Sequence, residues 1–161
     1  MNSWVSNLIE KIALRNSGVA RFRFPEDLPK LNNIVVLWPK KPDDAAREIL
    51  QELEEFLKGR INAIAGYNKE FPNISVKKVV LGENGEPRLL PAKNIVRKIG
   101  EFDCSIDLSE KFDLQLSSLP VRAKIPFRIG RDSQYAGRAY NIILQGDTVD
   151  SLAKIIKVKN T

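Results

Sequence analysis

The run Ile34-Val35-Val36-Leu37-Trp38 constrains this chain more than any other feature. It is apolar without alternation, preceded by Asn32-Asn33 and closed by Pro39. A strand with one wet face alternates apolar and polar side chains, so an unbroken run predicts a strand covered on both faces, as in a parallel sheet between helices. The next segment fits that frame. Asp43 and Asp44 stand where a helix N-cap and first turn favour negative charge, and Ile49, Leu53, Phe56 and Leu57 recur at helical spacing. The phase runs on through Ile61 and Ile64, which predicts one long or broken helix to about Tyr67 rather than a strand at 62–65, with Gly59 and Gly66 as weak points or ends.

Phe71-Pro72-Asn73 stops that helix, and the β-branched residues of 74–81 predict a second strand. Asn84-Gly85 offers a turn that either closes a hairpin with 88–90 or, given Pro87 and Pro91, leads irregularly to a short helix at 92–99. Residues 104–108 read as a third strand, 111–121 as a helix broken near Pro120, 126–130 as a fourth strand and 140–144 as another. A closing helix at 148–158 gathers Val149, Leu152, Ile155 and Ile156 on one face. Strands alternating with helices predict a single Rossmann-like α/β domain over 31–161, with a mostly parallel sheet of about five strands flanked by helices. Residues 1–30 are expected to form an N-terminal helical appendage, an amphipathic helix and a connector. Trp4, Val5, Leu8, Ile9, Ile12 and Ala13 share one face of an amphipathic helix at 3–15, which either packs on the domain or, with Arg15, Arg21 and Arg23, contacts a membrane surface peripherally.

Composition deletes many activities. The chain of 161 residues has one Cys and no His, which removes the Ser-His-Asp triad, Cys-His dyads, imidazole ligands, disulfides within the chain and multi-Cys zinc sites. Cys104, inside an apolar run, reads as a small core residue. No metal site and no cofactor is expected: there is no DxDxDG-like loop, no GxGxxG and no GxxxxGK[ST]. No apolar run approaches the roughly 20 residues needed to span a bilayer. The expected location is the cytoplasm, with the inner face of the membrane as the place the N-terminal helix would reach.

The net charge of +6 is uneven. Residues 1–87 carry 13 basic and 12 acidic groups, whereas 88–161 carry 13 and 8. Arg122, Lys124, Arg128, Arg131 and Arg138 fall within 121–138 against Asp132 alone, a balance that favours an anionic partner, either a phosphate or phosphosugar, or nothing beyond solvent. Nucleic acid is not the favoured partner, since only Phe127 and Tyr135 supply stacking rings there and no sequence-reading motif is present.

In open α/β sheets ligands bind outside the carboxyl ends of the strands. The candidate binding residues are therefore Lys40 and Lys41 after the first strand, Asp107 and Ser109 at the end of the third, and Arg128 and Arg131 at the fourth. The cations suit oxyanions and Asp107 suits hydroxyl groups; alternatively the lysines are solvated and Asp107 caps the turn at Ser109. The first strand-helix loop has no Gly, and Pro39 and Pro42 remove two amide donors, so a pyrophosphate is not expected on it. Asp103 and Asp107, four apart on a strand, lie about 13 Å from each other, too far to act as one acid-base pair.

Three segments carry a family resemblance: 33–39 (NIVVLWP), 102–109 (FDCSIDLS) and 123–130 (AKIPFRIG), with 140–144 (YNIIL) as a weaker fourth. They resemble the N-terminal, acceptor-side domain of the bacterial heptosyltransferases, GT-B glycosyltransferases that transfer heptose from a sugar nucleotide. The resemblance implies a Rossmann-like half. In that family a Gly-rich loop after the first strand supplies a catalytic Asp and a second domain binds the nucleotide. Here the corresponding loop lacks glycine, and neither Asp43 nor Asp44 is assigned that role. The expectation is thus a heptosyltransferase-like single domain, more a binding or scaffold module linked to envelope-glycan synthesis than an enzyme. The alternatives are a transferase half that obtains its donor side from a partner glycosyltransferase domain or by homo-oligomerisation, and a basic RNA-associated domain.

Overall fold

All four residues of the first strand, β1 (Ile34–Leu37), are buried, because the strand has a parallel neighbour on each edge and helices over both faces. The computed structural model describes residues 32–57, 59–67, 71–82 and 92–144. The amphipathic helix at 3–15, the turn at Asn84-Gly85 with its hairpin alternative at 88–90, and the closing helix at 148–158 lie outside those residues.

After β1 the chain runs through helix α1 (Asp44–Phe56), β2 (Ile61–Gly66), β3 (Lys77–Val80), α2 (Lys93–Ile99), β4 (Cys104–Asp107), the single-turn helices α3 (Leu114–Ser117) and α4 (Leu119–Arg122), β5 (Phe127–Arg131), α5 (Ala136–Ala139) and β6 (Ile142–Leu144). Every strand pair is parallel, in the order β3-β2-β1-β4-β5-β6. The molecule is an α/β protein with a Rossmann-like sheet.

The sheet has six strands rather than about five, and the additional one is the segment that helical spacing assigned to a continued helix. α1 ends at Phe56, and Gly59, at φ +79°, turns the chain into β2. A bulge explains the misleading spacing. Ile34 pairs with Ile61, but Val35 pairs with Ala63, so Asn62 is an extra residue. The bulge puts Ile61 and Ile64, three apart, on the same side of the sheet, where a regular strand would separate them. Asn62 itself points out and donates to Asn33 Oδ1 at 2.8 Å.

Each side of the sheet has its own core. On one, Ala46, Ile49, Leu50 and Leu53 of α1 pack on Ile34, Val36, Ile64, Ile106 and Ile129. Burying each of the larger side chains contributes about 1.5–3 kcal/mol. On the other, Ile95 and Ile99 of α2 and Leu116 and Leu119 of α3 and α4 pack on Val35, Leu37, Ala63 and Ala65. The break at Pro120 is a change of helix: Pro120 sits in the first turn of α4, where a missing N–H costs nothing. α4 ends in a Schellman motif. Ile125 N donates to Pro120 O at 3.0 Å and Lys124 N to Val121 O at 3.1 Å, with Lys124 at φ +58°, the left-handed position that glycine usually fills.

Strand order fixes where a ligand can enter. The chain moves outward from β1 to β2 and β3, then returns through α2 to lay β4 against the other edge of β1. The connections after β1 and β4 therefore diverge to opposite sides, and the gap between them opens above the carboxyl ends of these two strands.

Candidate functional site

A cavity of about 450 Å³ occupies that gap. Pro39, Lys40 and Lys41 line it from the loop after β1; Ser109, Glu110, Lys111, Phe112 and Asp113 line it from the loop after β4. Lys40, Lys41 and Ser109 of the candidate residues thus meet at one place. Glu110, Lys111, Phe112 and Asp113 complete it, and sequence reasoning did not select them. Asp113 was within reach of such reasoning, because Asp-Leu-Gln-Leu-Ser reads as an N-cap and first turn once the helix is started at Leu114 rather than at 111.

Asp113 organises the β4 side. Its Oδ1 accepts from the N–H groups of Gln115 at 3.0 Å and Leu116 at 3.2 Å, capping α3, and its Oδ2 accepts from the Tyr67 hydroxyl at 2.7 Å. Burial, then the Asp113 charge and hydrogen bond, push the Tyr67 phenol far above its ordinary pKa, so it stays a donor. The Lys40 ammonium lies 5.7 Å from the centre of the Tyr67 ring, which joins the β1 loop to the end of β2.

Two further aspartates, Asp43 and Asp107, lie on the connections beside the cavity but outside its lining, and each is engaged by protein groups. Asp43 caps α1 by accepting from Ala46 N at 2.9 Å, and the same oxygen accepts from Arg131 Nη1 at 2.9 Å. Burial alone would raise the Asp43 carboxyl, but the Arg131 hydrogen bond, the Ala46 amide and the guanidinium charge together hold it below the usual value. Arg131 also donates to the Leu108 carbonyl at 3.4 Å. The candidate cation after the fourth predicted strand is therefore committed to protein groups.

Asp107 has no solvent exposure. Its Oδ1 accepts from Ser109 N at 3.0 Å, which is the turn cap anticipated from sequence, and its Oδ2 accepts from the Tyr140 hydroxyl at 2.5 Å. The Ser109 hydroxyl, buried at the edge of the cavity, lies near the carboxylate without hydrogen-bond geometry, yet close enough to favour its charge. Desolvation outweighs the donors from Tyr140, Ser109 and Ser117 and raises the Asp107 pKa; burial and the neighbouring carboxylate raise Tyr140 as well. Gly130 makes the contact possible. It pairs with Asp107 across β4 and β5, and a Cβ there would overlap the Tyr140 ring lying over it.

Arg128 takes a place at odds with its expected role on an anion. It is 3% exposed, with Nε donating to Ala139 O at 2.8 Å and Nη1 to Ile125 O at 3.1 Å. Burial lowers its pKa. The reason is positional: Arg128 lies two residues before Gly130 on β5, on the side covered by the chain between Ile125 and Tyr140, so its guanidinium ties backbone carbonyls together. Cys104 is wholly buried, and burial, with Asp103 nearby, pushes its thiol up, consistent with a core residue.

Chemically, the cavity presents three ammonium groups, the Ser109 hydroxyl and two carboxylates, Glu110 exposed at the rim and Asp113 engaged by Tyr67 and the first amides of α3. Among the described residues no cluster of three or more Cys, Asp or Glu side chains is arranged to hold a metal ion, and no helix is long and apolar enough to cross a membrane. The fold and this crevice define an α/β protein with a Rossmann-like sheet. No protein-family model, curated protein or solved structure matches the chain.

Proposed function

We propose that this protein is a non-catalytic, heptosyltransferase-like binding module whose crevice between β1 and β4 takes an anionic, glycan-related ligand, in a role linked to envelope-glycan synthesis. Two of the segments that resemble the heptosyltransferases, 33–39 and 102–109, are the strands and loop starts that border the crevice. Lys40, Lys41 and Lys111 supply positive charge from both sides of it.

The observation that carries the non-catalytic reading is the state of Asp43. A transferase base after β1 must be free to take a proton from an acceptor hydroxyl. Asp43 is the first carboxylate after β1, and it is bound to the α1 amide of Ala46 and to Arg131, both of which oppose its protonation. Incubation with ADP-heptose and other sugar nucleotides, with candidate acceptors present, tests this reading. No nucleotide should be released; ADP release above that of a Lys40→Glu/Lys41→Glu variant would make the protein a transferase and overturn it.

A further inference from the structure

We infer that the ligand of the crevice is the phosphomonoester of a sugar or polyol, not a nucleoside diphosphate. The inference rests on the reading of the crevice as an anion-binding site and narrows its ligand.

In Rossmann-like sheets a pyrophosphate sits on the free amides at the start of the helix after β1. That position is filled from within. The Asp43 carboxylate accepts from Ala46 N, Arg131 neutralises it, and Pro39 and Pro42 have no N–H to offer. A pyrophosphate there would meet the Asp43 carboxylate, with the Ala46 amide already taken. Side chains offer the charge an anion needs, since Lys40, Lys41 and Lys111 line the cavity from both loops and outnumber Glu110 and Asp113. Ammonium groups act as point charges with three donors each, which suits a compact tetrahedral dianion. A phosphomonoester carries about −1.5 to −2 at pH 7.

The remaining lining suits hydroxyl groups better than a nucleobase. Glu110 is an exposed acceptor at the rim, and the buried Ser109 hydroxyl can turn toward a ligand oxygen because it makes no regular hydrogen bond within the protein. Phe112 is the only aromatic among the lining residues and is already set edge-on to Tyr135, with ring centres 5.1 Å apart. The volume of about 450 Å³ is toward the small end of the roughly 300–1,000 Å³ typical of ligand pockets. It fits a hexose with one phosphate better than a base, ribose, pyrophosphate and second sugar.

Titration calorimetry at pH 7.5 in low salt, with glucose 6-phosphate, glucose 1-phosphate, glycerol 3-phosphate, glucose, inorganic phosphate and ADP-glucose, tests the inference. At least one of the three phosphomonoesters should bind tenfold or more tightly than each of the other compounds. Lys41→Glu/Lys111→Glu, a change confined to exposed side chains, should weaken that binding at least tenfold without shifting the melting temperature. Affinity should also fall as pH drops below about 6, where the dianion takes up a proton. ADP-glucose binding as tightly as the best phosphomonoester, and weakened by the same variant, would overturn the ligand class while leaving an anion site in place. Inorganic phosphate matching the esters would overturn the sugar or polyol part. Binding of no compound, or binding indifferent to the lysine reversals, would overturn both the inference and the crevice reading beneath it.

Discussion

Asp43 and Asp107 follow or end adjacent parallel strands of one sheet, and the protein treats them in opposite ways. Asp43 stands six residues beyond the end of β1, partly exposed, and is balanced by a guanidinium and a helix amide; its pKa falls. Asp107 is the last residue of β4, without exposure, and faces a phenol, a serine amide and no cation; its pKa rises. The difference shows how carboxylates at a sheet's carboxyl edge can be kept out of a neighbouring basic crevice. One is balanced by charge pairing and the other is withdrawn by burial from the lining, where Lys40, Lys41 and Lys111 outnumber Glu110 and Asp113.

The strongest way to break this contrast is to remove the space that Tyr140 uses. Gly130→Ala forces a methyl group into the Tyr140 ring, and the ring is packed among Val121, Ala136 and Ala139. Overpacking of this kind, with displacement of the Asp107 donor, is expected to cost about 3 kcal/mol in a urea unfolding measurement. Tyr140→Ala in the same background should recover part of the loss; a Gly130→Ala variant as stable as the parent would contradict the stacking.

Tyr140→Phe leaves the ring and deletes the donor. A buried carboxylate oxygen then loses its partner, at about 1–3 kcal/mol, and the Asp107 pKa should climb further. The pH dependence gives the sign. Because the folded-state pKa of Asp107 is raised, the unfolded chain releases that proton first, so this group's contribution to stability falls as pH rises from about 3.9 toward the folded value. Denaturation midpoints across that range should show a downward contribution that Asp107→Asn removes.

Asp43→Ala should cost about 1–2 kcal/mol, from a lost N-cap and a partly buried ion pair. Its pH contribution has the opposite sign: it is present above the unfolded value of about 3.9 and lost as pH falls through the lowered folded pKa. Arg131→Gln should remove most of that acid-side slope while leaving the Asp107 contribution untouched.

The smallest effect serves as a control remote from both carboxylates. Lys124→Gly relieves a left-handed residue at about 1–2 kcal/mol and adds the entropic cost of glycine at about 0.5–1 kcal/mol, so a net gain of about 0.5–1 kcal/mol is expected. Neither pH slope should change.

What the sequence made legible follows the range of the forces involved. β1 could be read because continuous burial leaves an unbroken apolar run, and the caps at Asp43 and at Asp107–Ser109 could be read because an acid bonds amides two or three residues away. β2 was hidden by its bulge, which gives Ile61 and Ile64 the spacing of a helix face. The partners of the two aspartates were out of reach for another reason. Arg131 is 88 residues from Asp43, and Tyr140 is 33 from Asp107; only the order of the strands brings them together. Arg128 was misplaced because a cation in a basic stretch suggests surface, while the alternation of β5 turns it inward. Of the site itself, Lys40, Lys41 and Ser109 followed from the rule that ligands sit beyond the carboxyl ends of strands, whereas Lys111 and Asp113 required knowing where α3 begins.

The most direct test of the account is a carboxyl-carbon NMR titration of the folded protein, with Asp43→Asn and Asp107→Asn used to assign the two resonances. The account predicts that Asp43 titrates below, and Asp107 above, the ordinary aspartate value of about 3.9. An Asp107 midpoint at or below that value would contradict it, since burial without a cation would then not outweigh the hydrogen bonds from Tyr140 and Ser109.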